Sequence, residues 1–445
     1  MIRIEPSYTS KGFSTSKNGP TLSPIVIHYC SGGMIEGMNL NCNSDSANEF
    51  CTSRNHRKTR IALYSHDTMG LGHVRRNLLI AKALANSALR PEILLITGAP
   101  QATAFSLPGR TSCLALPSLR KESTGEYRSH YRGVSLRSLI DFRSGTIRTA
   151  IEEFDPDILI VDKVPRGALR ELDFTLEFLR GRNRTTCILG LRDVLDEPDV
   201  VKREWKSDSL EDVIRDYYDY IWIYGDPRIY DPVQEYEFSP SIAEMVTYTG
   251  YHDQRLRLSK ITKHEEMGPF ILCLVGGGQD GARLVETFAR CIPPPETQCV
   301  IIAGPFMPRH AQRRLERWAT RYQHLKVLDF LAEPASLLNQ ATRIIAMGGY
   351  NTICEILSFQ KPALIVPRVV PRREQLIRAE RLRELGFVDV LNWDDVTPET
   401  LTRWLHEEKQ PPQINGKIDM KGLERIPQFL SEILSNTCSE TQSSI

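Results

Sequence analysis

The sequence predicts an α/β protein made of two similar halves, each a parallel sheet with helices between its strands. Three observations carry this. From Arg60 onward, short continuous apolar runs alternate with helical patterns. The alternation restarts near Pro269. Between the two series the stretch "RLRLSKITKHEE" is polar, as a linker is. Unbroken apolar runs suit strands buried on both faces of a parallel sheet. Two such series in one chain imply two Rossmann-like domains facing across a cleft. The 445 residues suffice for two ordinary domains, and 41% hydrophobic with 25% charged residues is a globular balance.

Taken in order, residues 1–58 read as a disordered extension, because "SYTSKGFSTSKNGPTLS" and "NLNCNSDSANEF" are polar and aperiodic. Within them "PIVIHYC" could form a local strand. The first half, 59–250, supplies the strands "RIALYSH", "EILLIT", "SCLALP", "DILIVD", "TCILGL" and "YIWIYG". Its helices include "VRRNLLIAKALANS" and "ALRELDFTLEFLRGR". A linker follows at 251–268. The second half, 269–410, offers "FILCLVGGG", "QCVIIAG", "KVLDFL", "TRIIAMGG", "PALIVP" and "FVDVL" as strands. Helical patterns lie between them. A Pro-rich loop, a last helix in "MKGLERIPQFLSEILSN" and a tail complete 411–445.

A formal net charge of +1 argues against a general nucleic-acid binder. The ten cysteines form no CxxC pair and no zinc spacing. Cys113, Cys187 and Cys273 lie inside apolar runs, where a buried free thiol is the plain expectation. No apolar stretch reaches transmembrane length, and the N-terminus has no signal-peptide pattern. These features lead us to expect a soluble cytoplasmic protein.

Three glycine turns carry the chemistry. In "HDTMGLGHVRR", Gly70 and Gly72 turn a strand into a helix whose N-terminus offers free N–H groups. A dinucleotide fingerprint needs glycine three residues after Gly72, and Arg75 stands there. His73 at this helix start would be held neutral by the dipole, as a general base must be. It could equally be a solvated histidine on a capped turn. In "LVGGGQDGARL", Gly276, Gly277 and Gly278 suit anion capture or a plain tight turn, and Gly281 lies in the next helical segment. In "AMGGYNTICEIL", Gly348 and Gly349 end a strand, and Glu355 falls about one turn into the helix that follows. A carboxylate there could accept from both hydroxyls of a ribose. Glu374 and Gln375 lie at the neighbouring strand end, where open α/β sheets bind ligands. Asp67, Asp162 and Asp193 end predicted strands of the first half. Each is a cleft carboxylate or a loop anchor, with Asp67 favoured because it shares a loop with His73. Residues 118–145, with several arginines, Tyr127 and Tyr131, read as a solvated loop. That loop could also hold an acidic acceptor or touch anionic lipid at the inner membrane.

From "VLDFLAEPASLLNQATRIIAMGGYNTICEILSFQKPALIVPRVVPRREQLIRAERLRELG" the chain resembles the donor half of glycosyltransferase family 28, the MurG-like transferases, and within it a group marked by "SHDTxGLGHxRR". "GGGQDG" looks like the family's "GGSQG" loop, and "MGLGHVRR" like its "GGTGGH" loop. The resemblance implies a GT-B fold and a nucleotide-sugar donor, usually UDP-linked, in the second half. It implies that Glu355 holds the ribose, and that Gly348, Gly349, Asn351 and Thr352 line the phosphates. Phe330 and Leu331 would flank the base. Gly277, Gly278 and Gln279 would form the diphosphate loop. Gln375 would face the sugar with Glu374 beside it. Gly70 and Gly72 would also bind the donor, and His73 would sit opposite, where the first half meets the donor. Gly278 stands where the family has Ser, and "RREQ" replaces its usual sugar-reading run, so no sugar is assigned. The expected reaction is an inverting, metal-independent, cofactor-free transfer of a hexosyl group to an acceptor hydroxyl, with His73 or Asp67 as base. The alternatives are a nucleotide-sugar 2-epimerase on the same fold and a non-catalytic nucleotide-sugar-binding subunit.

Overall fold

The computed structural model describes residues 27–28, 57–67, 71–99, 102, 105–121, 127–260 and 268–443. Nearly all of the expected N-terminal extension, and Gly70, lie outside the described residues.

The first sheet contains β1 (Ile27–His28), β2 (Arg60–Ser65), β3 (Glu92–Thr97), β4 (Thr111–Ala115), β7 (Ile158–Asp162), β8 (Thr186–Arg192), β9 (Tyr220–Tyr224) and β10 (Val246–Tyr248). Its order is β1-β4-β3-β2-β7-β8-β9-β10, parallel except for β1, which pairs antiparallel with β4. A separate hairpin joins β5 (Leu119–Lys121) to β6 (Tyr127–Ser129). The second sheet contains β11 (Phe270–Leu274), β12 (Gln298–Ile302), β13 (Leu325–Leu328), β14 (Arg343–Ala346), β15 (Ala363–Ile365) and β16 (Asp389–Val390). It is wholly parallel, in the order β13-β12-β11-β14-β15-β16.

Both sheets therefore run outward from their first strand and reverse direction at the fourth parallel strand. The reversals lie between β2 and β7 in one half and between β11 and β14 in the other. A crevice opens there at the carboxyl ends of the strands. The central strands are sealed on both faces: Ile61, Ala62 and Leu63 in one sheet and Ile344, Ile345 and Ala346 in the other are fully buried. The thiols of Cys113, Cys187 and Cys273 are free and buried, as their apolar runs imply.

Two segments differ from the sequence reading. Residues 118–145 are not simply a loop, since they hold the β5–β6 hairpin and the start of a helix, Leu136–Phe154. Leu139, Arg143, Ile147 and Ile151 form that helix's inward stripe, and Leu119, Leu139 and Ala168 close a small core of their own. The polar linker also docks. Gln254–Lys260 forms a 3-10 segment whose Leu256 and Leu258 pack against the main core. The reason is its alternation of leucine and arginine: the leucines reach the core while Arg257 meets the buried Glu355 and the exposed Glu333.

The C-terminal helix Gly422–Ser443 returns to the first half. Leu423, Ile426, Leu430 and Ile433 share one core with Ile80 and Leu84 of helix Gly72–Asn86. Among the described residues no helix is long and apolar enough to cross a membrane.

Candidate active site

The site is built at the two sheet reversals. After β2 the chain folds back so tightly that a Cβ on Gly98 would lie 2.1 Å from the carbonyl oxygen of His66. Glycine there lets Asp67, at φ +30, tuck under the start of helix Gly72–Asn86. Asp67 accepts from the backbone N–H of Val74 at 3.1 Å, from Thr97 Oγ1 at 2.7 Å and from Ser65 Oγ. Its oxygens are taken by three donors, so Asp67 anchors the loop and caps the helix.

His73 sits one residue into that helix, with its side chain 16% exposed. Its Nδ1 lies 2.9 Å from Asp162 Oδ2 at the end of β7. Asp162 is fully buried and receives Arg76 Nη2 at 2.6 Å on each oxygen. The same Nη2 lies 3.0 Å from His73 Nδ1. Nδ1 cannot both accept from Arg76 and donate to Asp162, and Arg76 Nη2 is already bonded to the carboxylate. Asp162, which can only accept, therefore assigns the tautomer: Nδ1–H donates to Asp162, and Nε2 keeps its lone pair. Burial lowers the His73 pKa below its ordinary 6.5, and Asp162 pulls the other way. Burial would raise Asp162, but Arg76 and His73 hold it well below the usual carboxylate range. Arg76 is itself wedged between the rings of Tyr224 and Tyr350, 5.6 and 5.2 Å from their centroids.

Across the cleft, helix Tyr350–Phe359 begins directly after Gly348 and Gly349. Asn351 Nδ2 donates to the carbonyl of Gly72 at 2.8 Å, so the starts of the two helices meet. The N-terminus of helix Tyr350–Phe359 carries free N–H groups and partial positive charge, which favour an anion. Thr352 lies beside Asn351 in the same first turn. Glu355 is buried one turn further in, and its Oε1 accepts from Arg257 Nη1 at 2.5 Å. Arg257 Nε also reaches Glu333, at 2.9 and 3.0 Å. Arg75 Nη2 donates to the carbonyls of Leu331 and Ala332, and Phe330 beside them is 39% exposed.

The loop after β11 is locked by backbone. Gly278 has φ +90, and a Cβ there would lie 2.3 Å from the Ala303 carbonyl oxygen. The N–H of Phe306 donates to the Gly277 carbonyl at 2.8 Å. Gln279 is exposed. Arg368 connects this loop to the neighbouring strand end: it meets Asp280 at 3.1 Å and Glu374 at 2.8 Å, while its N–H donates to Gln375 Oε1 at 3.1 Å.

The halves are clamped beside the site. Arg378, fully buried, binds both oxygens of Asp193 and the carbonyls of Val194 and Gly348. Tyr251 adds a hydrogen bond to Asp193 at 2.8 Å. Asp193 is thus an interdomain anchor rather than a cleft acid. Arg372 reaches Asp196 and Glu204, and Arg381 reaches Glu235, extending the clamp.

The sequence candidates His73, Gly72, Asn351, Gly348 and Gly349 thus come together. Glu355 lies within the same crevice but paired with Arg257. Gln279 and Phe330 are exposed, on the loops that follow β11 and β13. Sequence reasoning missed Arg76, Arg257 and Arg378. A signal existed for two of them. Arg76 shares an inward stripe with Ile80 and Leu84, and Arg378 with Gln375, Ala379 and Leu382. A charge on a buried stripe needs a partner.

The family model for the glycosyltransferase family 28 C-terminal domain matches residues 271–430. A Haemophilus influenzae (strain PittGG) protein named UDP-N-acetylglucosamine--N-acetylmuramyl-(pentapeptide) pyrophosphoryl-undecaprenol N-acetylglucosamine transferase is 27% identical over 138 residues, 30% of this chain and 38% of its own. A Bacillus cereus (strain ATCC 10987 / NRS 248) protein of the same name, numbered 2, is 25% identical over 175 residues, 36% and 47% of the two chains. The chain therefore spans less than half the length of these relatives. Among solved structures, Phytolacca americana UGT2, complexed with UDP-2fluoro-glucose and pterostilbene, superposes with a TM-score of 0.55 at 14% identity, covering 86% of this chain and 99% of that one. A putative UDP-N-acetylglucosamine 2-epimerase from Listeria monocytogenes gives 0.55 at 12%, covering 86% and 98%. At such identities the likeness is one of fold, and the fold is GT-B.

Proposed function

We infer that this chain, which carries a glycosyltransferase family 28 C-terminal domain on a GT-B frame, transfers a sugar from a UDP-linked donor to an acceptor hydroxyl. The observation that carries the reading is the Asp162–His73 pair at the start of one helix. It faces the start of a second helix that bears Glu355, and Asn351 joins the two.

His73 Nε2 takes the proton of the acceptor hydroxyl. Asp162 orients the ring and stabilises the imidazolium that forms, the role of the third group in a nucleophile–base–carboxylate relay. The acceptor oxygen forms a bond to the anomeric carbon as the bond from that carbon to the phosphate oxygen breaks. The electron pair leaves with the nucleoside diphosphate. A direct displacement of this kind inverts the anomeric centre. N–H groups at the start of helix Tyr350–Phe359 and in the glycine loop 276–278 neutralise the departing charge, preorganised before reaction. Glu355 accepts from the ribose hydroxyls, which requires Arg257 to share or release its Oε1. This scheme uses no metal.

A panel of nucleotide sugars, screened by thermal shift on the full chain, tests the reading. A UDP-sugar is expected to raise the melting temperature, and silence across the panel overturns the proposal. Incubation with UDP-N-acetylhexosamine alone separates the epimerase alternative, because formation of the epimer without any acceptor would replace transfer with epimerisation.

A further inference from the structure

Most cations in the crevice have a carboxylate partner. Arg76 has Asp162, Arg257 has Glu355 and Glu333, Arg368 has Glu374 and Asp280, Arg372 has Asp196 and Glu204, and Arg378 has Asp193. Two do not. Lys163 follows Asp162 directly at the carboxyl end of β7, and Arg192 ends the adjacent strand β8. Neither side chain makes a hydrogen bond or a salt bridge among the described residues, and Arg192 Nε is buried without a partner.

Both groups stand at the carboxyl ends of adjacent strands beside the crevice, and charged groups of both halves act on them. Lys163 feels Arg192 and Asp162 from its own half and Glu374 and Arg372 from the other. Arg192 feels Glu374 and Arg378 across the crevice, and Arg76 and Asp162 on its own side. Lys163 is held at φ +72 and anchored by its N–H to the Gly190 carbonyl at 2.8 Å, which fixes where its side chain departs. Burial, then Arg192, push the Lys163 ammonium down to about 7, and burial pushes Arg192 down to about 10. The carboxylates that act on both, Glu374 and Asp162, are already bonded to Arg368 and to Arg76 with His73. Two desolvated cations thus share counter-ions that are in use, which is costly unless a further anion joins them.

We propose that Lys163 and Arg192 form an oxyanion subsite that holds a phosphate or carboxylate group of the acceptor beside the hydroxyl presented to His73. This rests on the transferase reading above. The donor diphosphate is an unsuitable occupant, because the helix start at Tyr350 and the 276–278 loop, both in the other half, serve it. Lys163 and Arg192 instead hang from the strands next to Asp162, on the side of the base. Two cations on adjacent strand ends match a doubly charged group better than a single charge, so phosphate is the stronger of the two expected ligands.

Calorimetric titration of the full chain with inorganic phosphate and with acetate, each in the presence of saturating UDP, tests this. UDP blocks the donor side. Wild type is expected to bind phosphate more tightly than acetate and to take up protons at pH 8 as it does so. The Lys163→Met/Arg192→Met variant is expected to weaken phosphate at least about tenfold while its UDP affinity stays within about twofold. Tighter acetate than phosphate would mark a carboxylate-bearing acceptor and keep the subsite. No phosphate or acetate binding to wild type, or equal binding to the variant, overturns the proposal. A parallel loss of UDP affinity with an unchanged melting curve overturns it too, since the cations would then serve the donor. If the double variant does not fold, Arg192→Gln alone carries the same expectations. Failure of wild type to bind UDP contradicts the donor reading instead, and the phosphate titration is then run without UDP.

Discussion

The two halves share a strand order but equip the same topological position differently. In the first half the ends of β2 and β7 present side chains: His73, Asp162 and Lys163. In the second half the ends of β11 and β14 present backbone: Gly276 to Gly278, and Gly348 with Gly349. A proton can only be moved by a side chain with a suitable pKa, whereas a diphosphate is well held by N–H groups that glycine leaves uncovered. On the proposed reading, one fold used twice divides the work into a half that reacts and a half that binds.

The largest effects should come from breaking the reacting half. His73→Ala is expected to lower kcat by about 10²–10⁴-fold while the UDP dissociation constant stays unchanged. Glu355→Ala should do the reverse, weakening UDP with a smaller effect on kcat at saturating donor. Steady-state kinetics beside calorimetry reads both, and a binding defect in His73→Ala would blur the division. If a partner enzyme's activity survived His73→Ala, the chain would be a binding subunit.

Next is the clamp between the halves. Arg378→Ala leaves Asp193 buried and unpaired, which should cost about 3–5 kcal/mol in denaturant unfolding. A loss below about 1 kcal/mol would mean the halves are held by something else.

A smaller effect separates the two kinds of glycine. Gly278→Ala forces a Cβ against the Ala303 carbonyl at φ +90 and should cost about 1–3 kcal/mol with weaker UDP binding. At Gly349 a Cβ meets nothing within 4 Å, so Gly349→Ala should fold like wild type. Equal melting temperatures for the two variants would contradict a backbone-locked loop.

The smallest is a shift in pH profile. Because burial lowers His73, kcat/KM should rise with pH along an acid limb centred below 6.5 and stay flat above it. Asp162 opposes that lowering, so Asp162→Asn should move the limb to still lower pH as well as reduce the rate. A limb centred above 6.5 would argue against His73 as the base.

The alternating pattern was readable because buried parallel strands leave unbroken apolar runs, and all twelve proposed strands of the two halves correspond to strands observed. His73, Asn351 and the glycine turns were readable because they begin helices, and local chemistry marks a helix start. Partner choice was not. That Asp162 rather than Asp67 meets His73 depends on β7 lying next to β2, a pairing of residues 89 apart in sequence. Likewise Arg257 seemed part of a polar linker, and its burial against Glu355 follows from where the halves join. Lys163 and Arg192 carry no local pattern; that the carboxylates acting on them, Asp162 and Glu374, are bonded to other cations is a property of the assembled crevice.

Amide hydrogen exchange of the full chain with and without UDP tests the division of work most directly. The account predicts new protection at residues 276–279 and 348–355, with 72–76 and 158–163 unchanged. Protection centred on the first half, or none in the second, would contradict it.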